Sequence, residues 1–149
     1  KDEKPYVLEF NARMGDPECQ PIMMRMDSDL HGYLNASIDG TLSKLPPISW
    51  KKQSAVCVVL ASKGYPDSYQ KNEEITGLDF QDKNSFVFHA GTKCENGKVL
   101  TNGGRVLGVT SLGDTLSSAI SNAYSRVEKI SWPHKYFRKD IGKKGLLTL

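Results

Sequence analysis

The sequence predicts an α+β protein: an α-rich stretch opened by a strand, then a small, mostly antiparallel β domain with one covering helix. Three observations carry this. Residues 6–11 alternate apolar and polar side chains, the hairpin dipeptide Asn96-Gly97 follows the apolar run Phe86–His89, and residues 114–130 repeat apolar positions at helical spacing.

In chain order, Tyr6, Leu8 and Phe10 share one face of the first strand, while Val7, Glu9 and Asn11 share the other. Gly15 breaks this pattern, and Asp16-Pro17 reads as an N-cap followed by proline at the first helical position. Helical sequence then runs to Ile38 and ends at Asp39-Gly40. Pro21 and the cluster Asp27-Ser28-Asp29 divide it into two short helices. Residues 43–53, with Pro46-Pro47 and no period, read as a connection. Ser54–Ser62 is a buried strand, followed by a turn at Gly64-Tyr65-Pro66. From 86 to 110 the pattern is a three-stranded antiparallel meander, turning at Asn96-Gly97 and again at Asn102-Gly103-Gly104. Leu116, Ala119, Ile120, Ala123, Tyr124, Val127 and Ile130 form the stripe of the covering helix, with Asp114 or Thr115 as its cap and Pro133 beyond its end. The implied organisation is a first unit over 1–45, a linker over 46–53 and a β-rich domain over 54–149.

Composition narrows the function classes. Twenty Lys and Arg against 17 Asp and Glu leave a formal charge of +3, spread along the chain rather than gathered on one face, which argues against a nucleic-acid partner. The longest apolar run, Ala55 to Ala61, is far shorter than the ~20 residues of a membrane span. Cys19, Cys57 and Cys94 are odd in number and widely spaced, so free thiols in a reducing compartment are expected. The chain opens on Lys1 with strand-like sequence almost at once, which reads as an excerpt of a longer protein.

Three constellations carry chemistry. Glu9 and Asn11 offer a carboxylate and an amide oxygen on one side of a strand, a hard-oxygen pair that suits Mg²⁺ beside nucleotide phosphates. Arg13, Gly15 and Asp16 follow directly, in a polar loop of the kind where ligands gather. In the meander, a two-residue turn at Asn96-Gly97 pairs Glu95 with Lys98, Lys93 with Leu100 and Thr92 with Thr101. Strand spacing would put the Lys93 and Arg105 backbones about 10 Å apart, close enough for both side chains to close on one phosphate. His89, at the end of an apolar strand, reads as a buried, hydrogen-bonded histidine.

Taken together, Leu8–Gln20, Phe88–Thr92, Thr101–Leu107 and Arg138–Gly142 resemble the glycinamide ribonucleotide synthetase family, ATP-grasp ligases of purine biosynthesis. The resemblance runs in order from Tyr6 to Gly142. It implies that 1–45 closes an ATP-grasp domain and that 54–149 is the small carboxyl-terminal domain over the active site. It implies ATP, glycine and 5-phosphoribosylamine as substrates, joined through a glycyl phosphate, in the cytoplasm. It further implies Mg²⁺ or Mn²⁺ on Glu9 and Asn11, sugar-phosphate contacts from Lys93 and Arg105, and Arg13 and Asp16 near the amine or glycine. The wording of Gly15–Gln20 is similar to multifunctional eukaryotic members, which implies fusion to other domains of the same pathway. A full chain of the family is roughly three times this length. The nucleotide pocket would then lie mostly outside this sequence, and residues 1–40 are expected to be poorly packed without partner strands. The alternative is a non-catalytic ATP-grasp remnant acting as a binding module.

Overall fold

The structure is a computed structural model that describes residues 5–8, 10, 12–80 and 82–147. Two short helices come first, α1 (Cys19–Arg25) and α2 (Leu30–Ile38), then a 3-10 turn over Leu42–Lys44. The Asp29 side chain caps α2 by accepting from the His31 N–H at 3.0 Å. The β-rich part follows: β1 (Ser54–Ser62), β2 (Ser85–His89), β3 (Thr92–Glu95), β4 (Lys98–Thr101), β5 (Arg105–Gly113), helix α3 (Leu116–Val127), β6 (Lys135–Tyr136) and α4 (Lys143–Leu146).

Strands β2-β5-β1-β6 form a four-stranded antiparallel sheet. Its register sets Val58 opposite Val109 and Leu60 opposite Leu107. Because side chains alternate along a strand, Val56, Val58, Leu60, Leu107 and Val109 point to one face and Cys57 and Thr110 to the other. Helix α3 lies on the first face. Ala119 and Ala123 are fully buried and let its axis approach closely, and Val127 and Ile130 complete the core. Each buried aliphatic there contributes about 1.5–3 kcal/mol of transfer free energy. Thr115 and Ser118 start α3 with a reciprocal capping box. Helix α1 packs on the opposite face: a Cβ built on Gly108 would meet Cys57 Sγ at 3.4 Å and Gln20 Nε2 of α1 at 3.7 Å.

Five expectations are corrected here. Of the strand expected over 6–11, the described residues 6–8 and 10 form no strand. Leu8 is 95% and Phe10 89% exposed, and a strand needs a hydrogen-bonding neighbour that these residues do not find. Residues 1–40 are nevertheless not uniformly unpacked, because α1 covers β1 and β5. Asp16 is not a helix cap: α1 begins at Cys19 with Glu18 at the cap position, and the Asp16 carboxylate is engaged elsewhere. The three-stranded meander is split, since β2 pairs directly with β5 while β3 and β4 form a separate two-stranded ribbon. Two close backbone crossings explain the split, with Gly91 donating to the Arg105 carbonyl at 2.9 Å and Asn102 donating to the Gly91 carbonyl at 2.7 Å. Within that ribbon the register is as predicted, including Lys93 opposite Leu100 and Thr92 opposite Thr101. His89 is exposed rather than buried, and its Nδ1 lies 3.0 Å from Thr92 Oγ1.

Candidate functional site

Arg105 opens β5 opposite Ala61, just after a register shift between Leu60 and Ala61 that bends the sheet edge. Its guanidinium reaches across 89 positions of sequence to Asp16. Nη2 sits 3.1 Å from the carboxylate, and Nη1 donates to the Asp16 carbonyl at 3.3 Å. Two residues assigned separate roles from sequence are therefore one ion pair, which ties the segment before α1 to the start of β5.

Beside this pair lies a cavity of about 270 Å³. It is lined by Pro17, by Cys57, Val59 and Ala61 of β1, by Tyr65 and Arg105, and by the 136–141 segment through Tyr136, Arg138 and Ile141. The surface is almost entirely apolar, although Tyr65, Arg105, Tyr136 and Arg138 are among its lining residues. Arg138 makes a bidentate pair with Asp140, Nε to Oδ1 at 2.9 Å and Nη2 to Oδ2 at 2.7 Å, which raises the guanidinium pKa and lowers that of the carboxyl. The backbone here is pinned from α3: the Tyr124 hydroxyl donates to the Arg138 carbonyl at 2.7 Å and accepts from the Ile141 N–H at 3.0 Å. Cys57 faces the same space from β1, and burial pushes its thiol pKa up.

The other predicted residues lie apart. Lys93 is on β3 and is paired with Glu95 at 2.6 Å, which holds that carboxyl below its usual range. The expected closure of Lys93 and Arg105 on one point is thus not formed, because each is engaged by a different carboxylate. Arg13 is exposed and donates to the adjacent Met14 carbonyl at 3.0 Å. Glu9 and Asn11 lie outside the described residues. Among the described residues no group of three or more His, Cys, Asp or Glu side chains is placed to hold a metal. Arg138, Tyr65 and Tyr136 line this cavity and carried no functional expectation from spacing or period. The run Arg138–Gly142 marked the segment by resemblance, but neither spacing nor period shows that it folds back onto β1.

A second polar cluster joins His134 to Glu73: His134 Nδ1 bonds Glu73 Oε1, and the Glu73 side chain is 10% exposed. The three cysteines are free thiols. Among the described residues, no helix is long and apolar enough to cross a membrane.

Comparison with known proteins places this geometry. The family described as phosphoribosylglycinamide synthetase, C domain, matches residues 55–144. The phosphoribosylamine–glycine ligase of Rhodopirellula baltica is 49% identical over 146 residues, covering 97% of this chain and 33% of that protein. The ligase of the same name from Synechocystis is 50% identical over 141 residues, covering 94% of this chain and 34% of the relative. The crystal structure of the Thermotoga maritima phosphoribosylamine–glycine ligase superposes with a TM-score of 0.72 at 38% identity, over 93% of this chain and 34% of that one. The chain spans about a third of the length of the curated relatives it matches.

Proposed function

The chain belongs to the phosphoribosylglycinamide synthetase C-domain family, and on that premise we propose that it is the carboxyl-terminal third of an ATP-dependent phosphoribosylamine–glycine ligase. The observation that carries this reading is near-half identity to such ligases over almost the whole chain. The reaction joins glycine to the amine of 5-phosphoribosylamine. ATP phosphorylates the glycine carboxylate, ADP departs, the amine nitrogen attacks the carbonyl carbon, and inorganic phosphate leaves as the amide forms. The free thiols of Cys19, Cys57 and Cys94 suit a cytoplasmic setting.

Within that scheme the chain's own residues bind and orient. Arg105 offers a guanidinium at the mouth of the cavity for the sugar phosphate, and Lys93, once released from Glu95, adds charge from the ribbon side. Asp16, paired with Arg105, and the exposed Arg13 offer a carboxylate and a guanidinium that match the amine and the carboxylate to be joined. Glu9 and Asn11 are hard-oxygen donors and fit Mg²⁺ or Mn²⁺ in chemical type. When bound, such an ion would screen charge on the nucleotide phosphates. Holding two substrates in line lowers the barrier mainly by orientation and electrostatics, with no covalent enzyme intermediate.

The test is ADP release by the full-length protein that carries this chain, with phosphoribosylamine formed in solution from ribose 5-phosphate and ammonia. The reading requires release that depends on both glycine and phosphoribosylamine. Release indifferent to glycine, or none at all, removes it. Turnover that survives Glu9→Ala and Asn11→Ala would remove the metal assignment alone.

A further inference from the structure

The strand order β2-β5-β1-β6 puts β2 and β6 at opposite edges of the sheet. The cavity beside Arg105 takes lining from β1 and β6. A second cavity, of about 320 Å³, lies at the β2 edge and shares no lining residue with the first. It is walled by β2, by Arg126 of α3 and by the segment leading from Leu78 to Asp82. Its size falls in the usual ~300–1,000 Å³ range of small-molecule sites.

Arg126 gives this cavity its chemistry. The side chain is only 3% exposed, yet among the described residues no carboxylate forms an ion pair with it. Its partners are two backbone carbonyls, those of Gly77 at 2.9 Å and Leu78 at 3.2 Å, which accept hydrogen bonds and neutralise no charge. A guanidinium has five N–H donors, so these carbonyls leave most of its donor capacity unused. A buried charge without a counter-ion is costly, and here burial pushes the Arg126 pKa down. Asp82 also lines the cavity and its charge opposes that shift, but both its oxygens are engaged locally. Oδ1 accepts from the Asn84 N–H at 2.9 Å and Oδ2 from the Ser85 hydroxyl at 2.9 Å.

The lining selects the anion. Arg126 is the one Lys or Arg among the lining residues, so the cavity matches a single negative charge rather than a polyanion. A carboxylate fits the planar guanidinium fork with two parallel hydrogen bonds. Leu78, Phe80, Phe86 and Val87 supply apolar wall beside it. Phe80 and Phe86 are both more than half exposed, and the Phe80 ring centroid lies 5.3 Å from the Arg126 guanidinium. We propose that this cavity binds a small monocarboxylate with a flat apolar body, its carboxylate on Arg126 and its body against Phe80 and Phe86. Such an acid supplies the counter-ion that the fold omits, and it ties the 77–80 loop more firmly to α3.

A ligand-observed NMR titration of the full-length protein with benzoate tests this. Benzamide is the uncharged isostere, and saturating glycine is present throughout to occupy any separate carboxylate site. Saturable benzoate binding is expected at about millimolar concentration or below, with benzamide about tenfold weaker or more. Arg126→Lys keeps the charge and loses the fork, so it should weaken benzoate about tenfold. Should that variant fail to fold, two others decide. Phe80→Ala removes an exposed ring, should leave the melting temperature unchanged and should weaken benzoate about threefold or more. Asp82→Asn removes the like charge and should tighten benzoate about twofold. An Asp82 that served to hold Arg126 in place would instead weaken binding when replaced. Absence of benzoate binding, equal affinity for benzamide, or an affinity that fails to move as stated in either Phe80→Ala or Asp82→Asn overturns the proposal.

Discussion

Gly91 and Gly103 meet backbone to backbone: a Cβ built on Gly91 would lie 2.6 Å from the Gly103 Cα and 2.6 Å from the Arg105 carbonyl oxygen. This contact seats the β3–β4 ribbon against the start of β5, and so sets where Lys93 stands relative to Arg105. Gly91→Ala must push two backbones apart and should cost about 1–3 kcal/mol, the range of overpacked sites. Gly97→Ala meets no atom within 4 Å and carries only the penalty of its positive φ of 74°, so it should cost about 1 kcal/mol. Urea unfolding of the two variants checks the order, and a larger loss at Gly97 would contradict it.

Arg126 is a buried cation at 3% exposure whose Nη atoms donate to the Gly77 carbonyl at 2.9 Å and the Leu78 carbonyl at 3.2 Å. It holds the 77–80 loop to α3, and its guanidinium also lies 5.3 Å from the Phe80 ring centroid. Arg126→Leu leaves both carbonyls unpaired and should destabilise by about 2–4 kcal/mol. Proteolysis should then begin in the 77–80 loop, and cleavage elsewhere first would count against this role.

The three thiols should react in order of exposure, Cys94 first, Cys19 next and Cys57 last, which timed alkylation and peptide mapping can follow. Burial raises the Cys57 pKa, so the folded state binds its proton more tightly than the unfolded chain does. The associated stability is complete below the ordinary thiol range of about 8.5 and is lost as pH rises above it. The urea midpoint of the unaltered chain should therefore fall more between pH 7.5 and pH 9.5 than that of Cys57→Ala. Equal falls would show that Cys57 does not carry the effect.

Thr115→Ala removes one half of the capping box on α3 and should cost about 1 kcal/mol. Thermal unfolding followed by circular dichroism reads this directly. No change would mean that water replaces the cap without loss.

Local pattern made much of the β-rich domain legible. A continuous apolar run marked β1, the turn residues 102–104 marked the start of β5, the Asn96-Gly97 pair marked the ribbon with its register, and the stripe Ala119, Ala123, Val127 and Ile130 marked α3. What pattern could not show was long-range pairing. Nothing local says that β2 passes over the ribbon to reach β5, or that Asp16 leaves its expected cap to meet Arg105 across 89 positions. The site was half legible for the same reason. Arg105 and Asp16 were singled out as separate groups, while Arg138 became visible only when Tyr124 was seen to pin its segment beside β1. Residues 6–11 alternate like a strand, yet the described members of that run stay exposed, because alternation specifies a face and cannot supply the neighbouring strand.

The most direct measurement is incorporation of labelled glycine into glycinamide ribonucleotide by the full-length protein that carries this chain, unaltered and with Arg105→Ala. The expected result is incorporation that requires ATP and phosphoribosylamine, and an Arg105→Ala protein whose KM rises about tenfold or more for phosphoribosylamine while those for ATP and glycine hold. No incorporation, or a rise confined to the KM for ATP, would contradict it.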